Sequence, residues 1–406
     1  MLAGLAWRNI WRQPQRTVLS LTSIALSGAI TIFVLSMQLG TYAIMKQNVL
    51  RLLDGYAQLQ PPHYASNPDL RKTIAHPRKV MAQLRSIPNV TAAAPRASSY
   101  VILASGSRSY GAEVLGIEPA REVHVSSLAG AMTEGRYLNS RDTNAVIIGA
   151  GIARNLKLAL GSKLTLLGSA RDGSIAADVL IVKGIFSTGS PQLDRQIIEI
   201  PLSRFQNDFI LGQRVNSIAL VGRNLSSINA SIPALQRLAH KNGLVVRDWT
   251  KLEPALHDVI LLDMSFSVLL YASLIVVVTF IILNTLLMSI LERTREFGTL
   301  LALGMRPAQI GSMIWFELLL LAGAGMLIGI VLGSAATYIF VKNGIAFGGA
   351  EALFRQWHMP STLYPELSLT TALAGPVAIA IAISIAGIIP YLRIRRLTPL
   401  SAMRST

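Results

Sequence analysis

Four stretches of the chain are apolar and nearly free of charge for long enough to cross the hydrocarbon core of a membrane, about 30 Å or roughly 20 helical residues. They run from Val18 to Leu39, Ser265 to Ile290, Leu318 to Phe340 and Leu369 to Leu392. Only 14% of the 406 residues are charged and 51% are hydrophobic, where a soluble domain carries about 25% charged residues. In lipid the backbone must satisfy its own hydrogen bonds, and an apolar run of this length does so as a helix. Arg8, Arg12 and Arg16 precede the first run, and Ala25-Leu26-Ser27 imitates a cleavage site. The apolar run continues beyond it, as in an uncleaved anchor. The expected fold is therefore an α-helical membrane protein with four transmembrane helices and a large extracytoplasmic α+β domain inserted between helices one and two.

Basic residues set the orientation, because positively charged short loops stay in the cytoplasm. Arg8, Arg12 and Arg16 precede span one, and Arg293, Arg295 and Arg306 lie between spans two and three. Arg393, Arg395, Arg396 and Arg404 follow span four, against only Lys342 and Arg355 between spans three and four. Both termini are expected in the cytoplasm, with the inserted domain on the far side of the membrane. The net charge of +16 then reports topology, and no nucleic-acid partner is implied. Residues 46–264 are basic as well, but long translocated domains escape the rule. Their evenly spread charges read as a solvated surface, with attraction to anionic lipid or an acidic partner as the alternative.

Helical periodicity continues past span one, through Ile44, Val49 and Leu52, and begins before span two, at Leu256, Val259, Ile260 and Met264. These read as stalks. Between them, β-type runs at Tyr56–Leu59, Tyr100–Leu103, Ala145–Ile148, Lys163–Leu167, Val179–Ile185, Ile197–Ile200, Ser217–Val221 and Leu244–Val246 alternate with helical signals. The helices are expected at His76–Arg85, Ile152–Leu158, Pro201–Leu211 and Ser226–Asn242, and Asp172-Gly173 marks a hairpin tip. The pattern predicts a mixed domain of about 200 residues, large enough for its own core.

Several chemistries find no residues here. There is no cysteine, hence no disulfide, thiolate site or Cys nucleophile. The six histidines are scattered without metal-ligand spacing. No nucleophile-elbow sequence is present, and no phosphate-binding G-x-x-x-x-G-K-[ST] loop; Gly161-Ser162-Lys163 comes nearest but lacks the first glycine. No catalytic residue, metal or cofactor is assigned to the chain, and it is not expected to be an enzyme.

The densest signal is Leu291–Ile310, LERTREFGTLLALGMRPAQI. Glu292, Arg293, Arg295 and Glu296 form a charged head, Leu300, Leu301 and Leu303 an apolar surface, and Gly304 and Pro307 punctuate the chain. On its residues alone this is a short connector between spans. The segment resembles the signature of FtsX-type permeases, the family of the LolC and LolE lipoprotein-releasing proteins, the MacB pump and FtsX. Trp7–Ile30 is similar to that family's amphipathic entry helix and first span, and the tail Arg395–Arg404 to its C-terminus. Gly55–Gln60 and Gly184–Gly189 look most like the LolC/LolE branch.

The resemblance implies a permease subunit of an ABC transporter that transmits ATP-driven motion to its outer domains. The segment around 291–309 would be the coupling helix, with Glu292, Arg293, Arg295, Glu296, Leu300 and Gly304 meeting the ATPase. ATP and Mg would be bound by a separate ATPase subunit of LolD or MacB type. A second permease chain, identical or paralogous, membrane lipids and a periplasmic protein are the other implied partners. The substrate would be lipoprotein, lipid or another amphiphile, with control of a cell-wall hydrolase or MacB-like export as alternatives. In this layout residues 1–17 form the N-terminus, 18–39 span one, 40–264 the periplasmic domain with stalks and 265–290 span two. Residues 310–341 form span three with its entry segment, 342–368 a short outer loop, 369–392 span four and 393–406 the tail.

Four further features lie within or beside the spans. Gly325, Gly329 and Gly333 give span three a smooth face suited to close helix packing. Asn284 and Thr285 are polar within span two and either pair helices or line a cavity. Glu317 is expected at the membrane boundary, and Pro376 is expected to kink span four.

Overall fold

The structure is a computed structural model that describes Arg12, residues 14–346, Gly349 and residues 362–395. The expectations for residues 1–11, Arg355 and the tail from Arg396 lie outside the described residues.

The first helix, α1, runs from Pro14 to Leu52, 39 residues or about 58 Å at 1.5 Å per residue. That is nearly twice what a span requires, so span and stalk are one element. It stops at Gly55, whose positive φ of 77° lets its N–H turn back to the Leu50 carbonyl at 2.7 Å.

The inserted domain, described by itself, follows in the order β1 (Ala57–Gln60), α2 (Pro77–Leu84), β2 (Val90–Ser105), β3 (Arg108–Ile117), α3 (Pro119–Glu122), β4 (Met132–Gly135) and β5 (Ala145–Gly149). Then come α4 (Ala150–Leu156), β6 (Lys163–Ser169), β7 (Ile175–Phe186), α5 (Leu193–Gln196), β8 (Ile197–Pro201) and α6 (Leu202–Asp208). The domain closes with β9 (Ser217–Gly222), α7 (Leu225–Lys241), β10 (Val245–Asp248) and α8 (Trp249–Leu252).

Its strands pair in the order β10-β1-β9-β2-β3-β8-β5-β7-β4, with β6 bridging β7 and β2. Two lobes result. The strands β10-β1-β9-β2 are mutually antiparallel and, with α2 and α7, form the βαββαβ arrangement of ferredoxin-like sheets. The second lobe is inserted between the second and third strands of the first. It is a ring, because β6 pairs with β7 along its length and with Ile102–Ala104 of β2, so β2-β3-β8-β5-β7-β6 close on themselves and bury their edges. The two lobes share β2: Val90–Arg96 pairs with β9, and Arg96–Ser105 with β3.

Every expected strand is present, but β2 spans 16 residues where the pattern predicts only Tyr100–Leu103, and β3 and β4 have no counterpart among the predicted strands. The Ala-rich start of β2 has no clear alternation, and Pro95 argues against a central strand. Pro95 is tolerated because β3 begins to pair only at Arg96. β5 and β8 are buried along their whole length, since helices cover one face and residues 128–138 the other; β5 is an unbroken apolar run, and β8 is interrupted only by the buried Glu199. In α7, Asn224 caps Ser227 N–H at 2.8 Å, and Ile228, Leu235 and Ala239 turn inward at helical spacing.

After the domain, α9 runs from Pro254 to Glu292, again 39 residues. The expected coupling segment 291–309 is split between the short α10 (Thr294–Ala302) and the start of α11 (Pro307–Asn343). A two-residue ladder of β11 (Ile345–Ala346) with β12 (Thr362–Leu363) follows, then α12 (Leu369–Ala386) and α13 (Ile388–Arg395). Pro376 lies inside α12. The last span is interrupted at Gly387, between α12 and α13, where a Cβ would strike Leu318 Cδ2 at 2.4 Å.

Candidate functional site

The elbow is built on α10. Phe297 is 1% exposed and packs with Ile290, Ile310, Ile314 and Ile394 in the membrane unit's core. Rooting one face this way fixes the helix against α9 and α11. The helix ends in a Schellman turn: Met305 N–H bonds to Leu300 O and Gly304 N–H to Leu301 O, each at 3.1 Å. Gly304 sits at φ +94°, where any side chain would be strained. Pro307 then opens α11 at a position that needs no N–H.

The charged head is engaged inside the chain. Arg16 at the start of α1 grips Glu292 with two 2.5 Å bonds, and Arg12 reaches Glu296 at 3.1 Å. Arg293 turns inward, stands over the Phe297 ring, and meets Glu317 at 3.4 Å and Glu296 at 3.6 Å. Glu317, expected at the membrane boundary, is thus a buried partner of Arg293 with 11% side-chain exposure. Removing one member of such a pair costs about 3–5 kcal/mol, whereas an exposed pair such as Arg12–Glu296 contributes under about 1 kcal/mol. What remains outward is Arg295, Gly304 and Leu303, the last 84% exposed; Leu300 is half-buried.

Between α1, α9 and α11, at the elbow end of the spans, lies a cavity of about 210 Å³. Arg12, Arg16, Arg293, Glu296 and Glu317 line one part, Ser20, Thr285 and Ser289 its flanks, and Ile24, Ile282, Leu286, Leu318 and Leu321 the rest. Thr285 therefore faces a cavity, its hydroxyl donating to Ile281 O, while neighbouring Asn284 is exposed.

The glycine row packs on α1. A Cβ at Gly325, Gly329 or Gly333 would stand 2.8 Å from Ile24 Cβ, Ala25 O and Ala29 Cα respectively. A polar crosslink that the sequence reading missed joins α1 to α9. Tyr42 OH donates to Asp263, Gln38 Nε2 donates to Tyr42 OH at 2.7 Å and to Ser267, and Tyr271 OH donates to Gln38 Oε1 at 3.0 Å. Its signal was Asp263, the last charge before the second apolar run.

The inserted domain holds a separate buried set. Arg96 makes a two-pronged pair with Glu122, and Tyr137 OH donates to Glu199 at 2.8 Å. Burial, then the charge of Glu122, pushes Glu199 up to about 8. At the domain's entry and exit, Asp54 and Glu253 lie against each other. Burial raises both carboxyls, Glu253 to about 8 with the Asp54 charge adding to it. On the barrel's outer face, Tyr100 and Ile102 of β2, Leu167 of β6 and Ile175 and Val179 of β7 are exposed apolar residues, with Ile102 and Leu167 directly paired.

Two family models match this architecture. The MacB-like periplasmic core domain covers residues 17–238, more than half the chain, and the FtsX-like permease C-terminal covers residues 268–399. The chain belongs to the FtsX-like permease family. It is similar to the lipoprotein-releasing system transmembrane protein LolC of Neisseria meningitidis, 23% identical over 78% of this chain and 76% of that one. It is also similar to LolE of Haemophilus influenzae, at 26% over 77% and 75%. The macrolide export ATP-binding/permease protein MacB of Hyphomonas neptunium is 25% identical over 79% of this chain, which spans 48% of that longer protein. This FtsX-like permease is thus an ABC transporter permease of LolC/LolE/MacB type, a multi-pass membrane protein with four spans and a periplasmic α/β domain.

Proposed function

We propose that this permease couples ATP hydrolysis by a separate ATPase subunit, where ATP and Mg bind, to movement of its periplasmic domain. It works as a dimer with an identical or paralogous permease chain, both termini cytoplasmic. Its cargo is a lipoprotein, lipid or other amphiphile drawn from the inner membrane.

The observation that carries this reading is the construction of α10. A short helix is anchored by Phe297 and held by the Arg12–Glu296 pair, while Arg16 of α1 grips Glu292 at the end of α9 just before it; it leaves Arg295 and Leu303 outward. A force applied there passes to α1 and α9 together. The amphiphile reading draws support from the LolC and LolE likeness and from the exposed apolar strip on β2, β6 and β7.

The test is co-purification with a separate ABC ATPase of LolD or MacB type. Arg295→Glu with Leu303→Ser should weaken that association about tenfold or more, the scale of an interface hot spot, without lowering the permease's melting temperature. Unchanged association would remove α10 from the joint. Release of lipoprotein or lipid from proteoliposomes on adding ATP tests the cargo, and its absence in an active complex would overturn that part.

A further inference from the structure

We propose that the cavity among α1, α9 and α11 binds the headgroup of a zwitterionic phospholipid bearing a primary ammonium, a phosphoethanolamine. The inference goes beyond the transport reading and needs no ATPase.

Its lining is graded along the helix axes. Arg293 stands at the elbow end of α9 and Ile282 eleven residues deeper, roughly 16 Å of helix. Arg12 and Arg16 likewise give way to Ile24 along α1. Charge at one end and hydrocarbon at the other is the layout of an amphiphile entering from the membrane boundary, and it argues against a free phosphate ion.

The polar part is also under-used by the protein. The Nε of Arg293 is buried and makes no hydrogen bond, and its contacts with Glu317 and Glu296 are long, at 3.4 and 3.6 Å. The hydroxyls of Ser20 and Ser289 line the cavity without a protein partner among the described residues. These groups suit phosphate oxygens, which accept from guanidinium and hydroxyl donors.

Charge balance selects the class of lipid. Three arginines line the cavity against Glu296 and Glu317, and Arg16 is already paired with Glu292 just outside the lining, so Arg12 and Arg293 face Glu296 and Glu317 and the described site is balanced but charge-separated. An anionic lipid would leave it with an excess of negative charge. A phosphoethanolamine brings its own cation, whose three N–H groups can reach Glu296 and Glu317 while the phosphate meets Arg293, Ser20 and Ser289. Phosphatidylcholine carries the same charges but no N–H to donate, and phosphatidylglycerol carries no cation.

The experiment is native mass spectrometry of the delipidated full chain, titrated separately with phosphatidylethanolamine, phosphatidylcholine, phosphatidylglycerol and inorganic phosphate. One phosphatidylethanolamine per chain should be retained, about tenfold more tightly than the other two lipids, the scale of one lost charge-assisted hydrogen bond. Ser20→Leu, which fills one flank of the cavity, should abolish that preference at an unchanged melting temperature. Ser289→Leu serves the same end if the first variant does not fold. Equal retention of all three lipids, binding of phosphate alone, retention of none, or a preference that survives a folded cavity-filling variant would each overturn the proposal.

Discussion

Glu199 is fully buried between Tyr137 and the Arg96–Glu122 pair, and Glu253 lies against the partly buried Asp54. Each is raised from the ordinary carboxyl range to about 8, chiefly by burial. The folded domain therefore holds protons that the unfolded chain releases near pH 4.5. Their stabilising contribution is complete below that pH and is lost as pH climbs to about 8. Each carboxyl can contribute a slope of at most about 1.4 kcal/mol per pH unit. Denaturant melts of the periplasmic domain in the solubilised chain should show stability falling across this window, and Glu199→Gln should flatten the fall. An equally steep profile in the variant would mean Glu199 titrates normally. No sequence pattern announced these groups; Glu199 sits in an apolar strand run, and only the ring of strands around it makes the site dry.

At the level of elements, local signals were the readable ones. The glycine row was legible because a four-residue repeat of missing side chains needs no knowledge of the neighbour; that the neighbour is α1 was not. Gly329→Val should force α11 off Ala25 and cost about 1–3 kcal/mol, the range for overpacking. A melting temperature equal to wild type would show the contact to be loose. The charged head of the elbow was legible too, but its pairing with Arg12 and Arg16 joins residues some 280 positions apart, beyond any periodicity argument. The Gln38–Tyr42–Asp263–Ser267 crosslink was missed for the same reason. Because the chain has no cysteine, Gln38→Cys with Ser267→Cys gives a clean test of whether α1 and α9 move together. Oxidation should crosslink the pair within one chain and leave ATP-dependent activity largely intact. Loss of activity on oxidation, restored by reductant, would show that the two helices must separate.

For the molecule as a whole, the four spans and the inserted domain were evident from the sequence because charge-free length is a property of contiguous residues. The ring was not, since it is closed by β2 meeting β6 some 60 residues later, a pairing set by burial rather than by local preference. With β2 woven into both sheets, bending one lobe against the other would tear main-chain hydrogen bonds along its 16 residues. The domain accordingly has no internal hinge at its centre. It should melt in one transition, with β2 amides exchanging as slowly beside β9 as beside β3. Two separate transitions would reveal a joint within the strand. A domain so constructed is cast in one piece: a displacement imposed on one sheet is carried into the other through the strand they have in common.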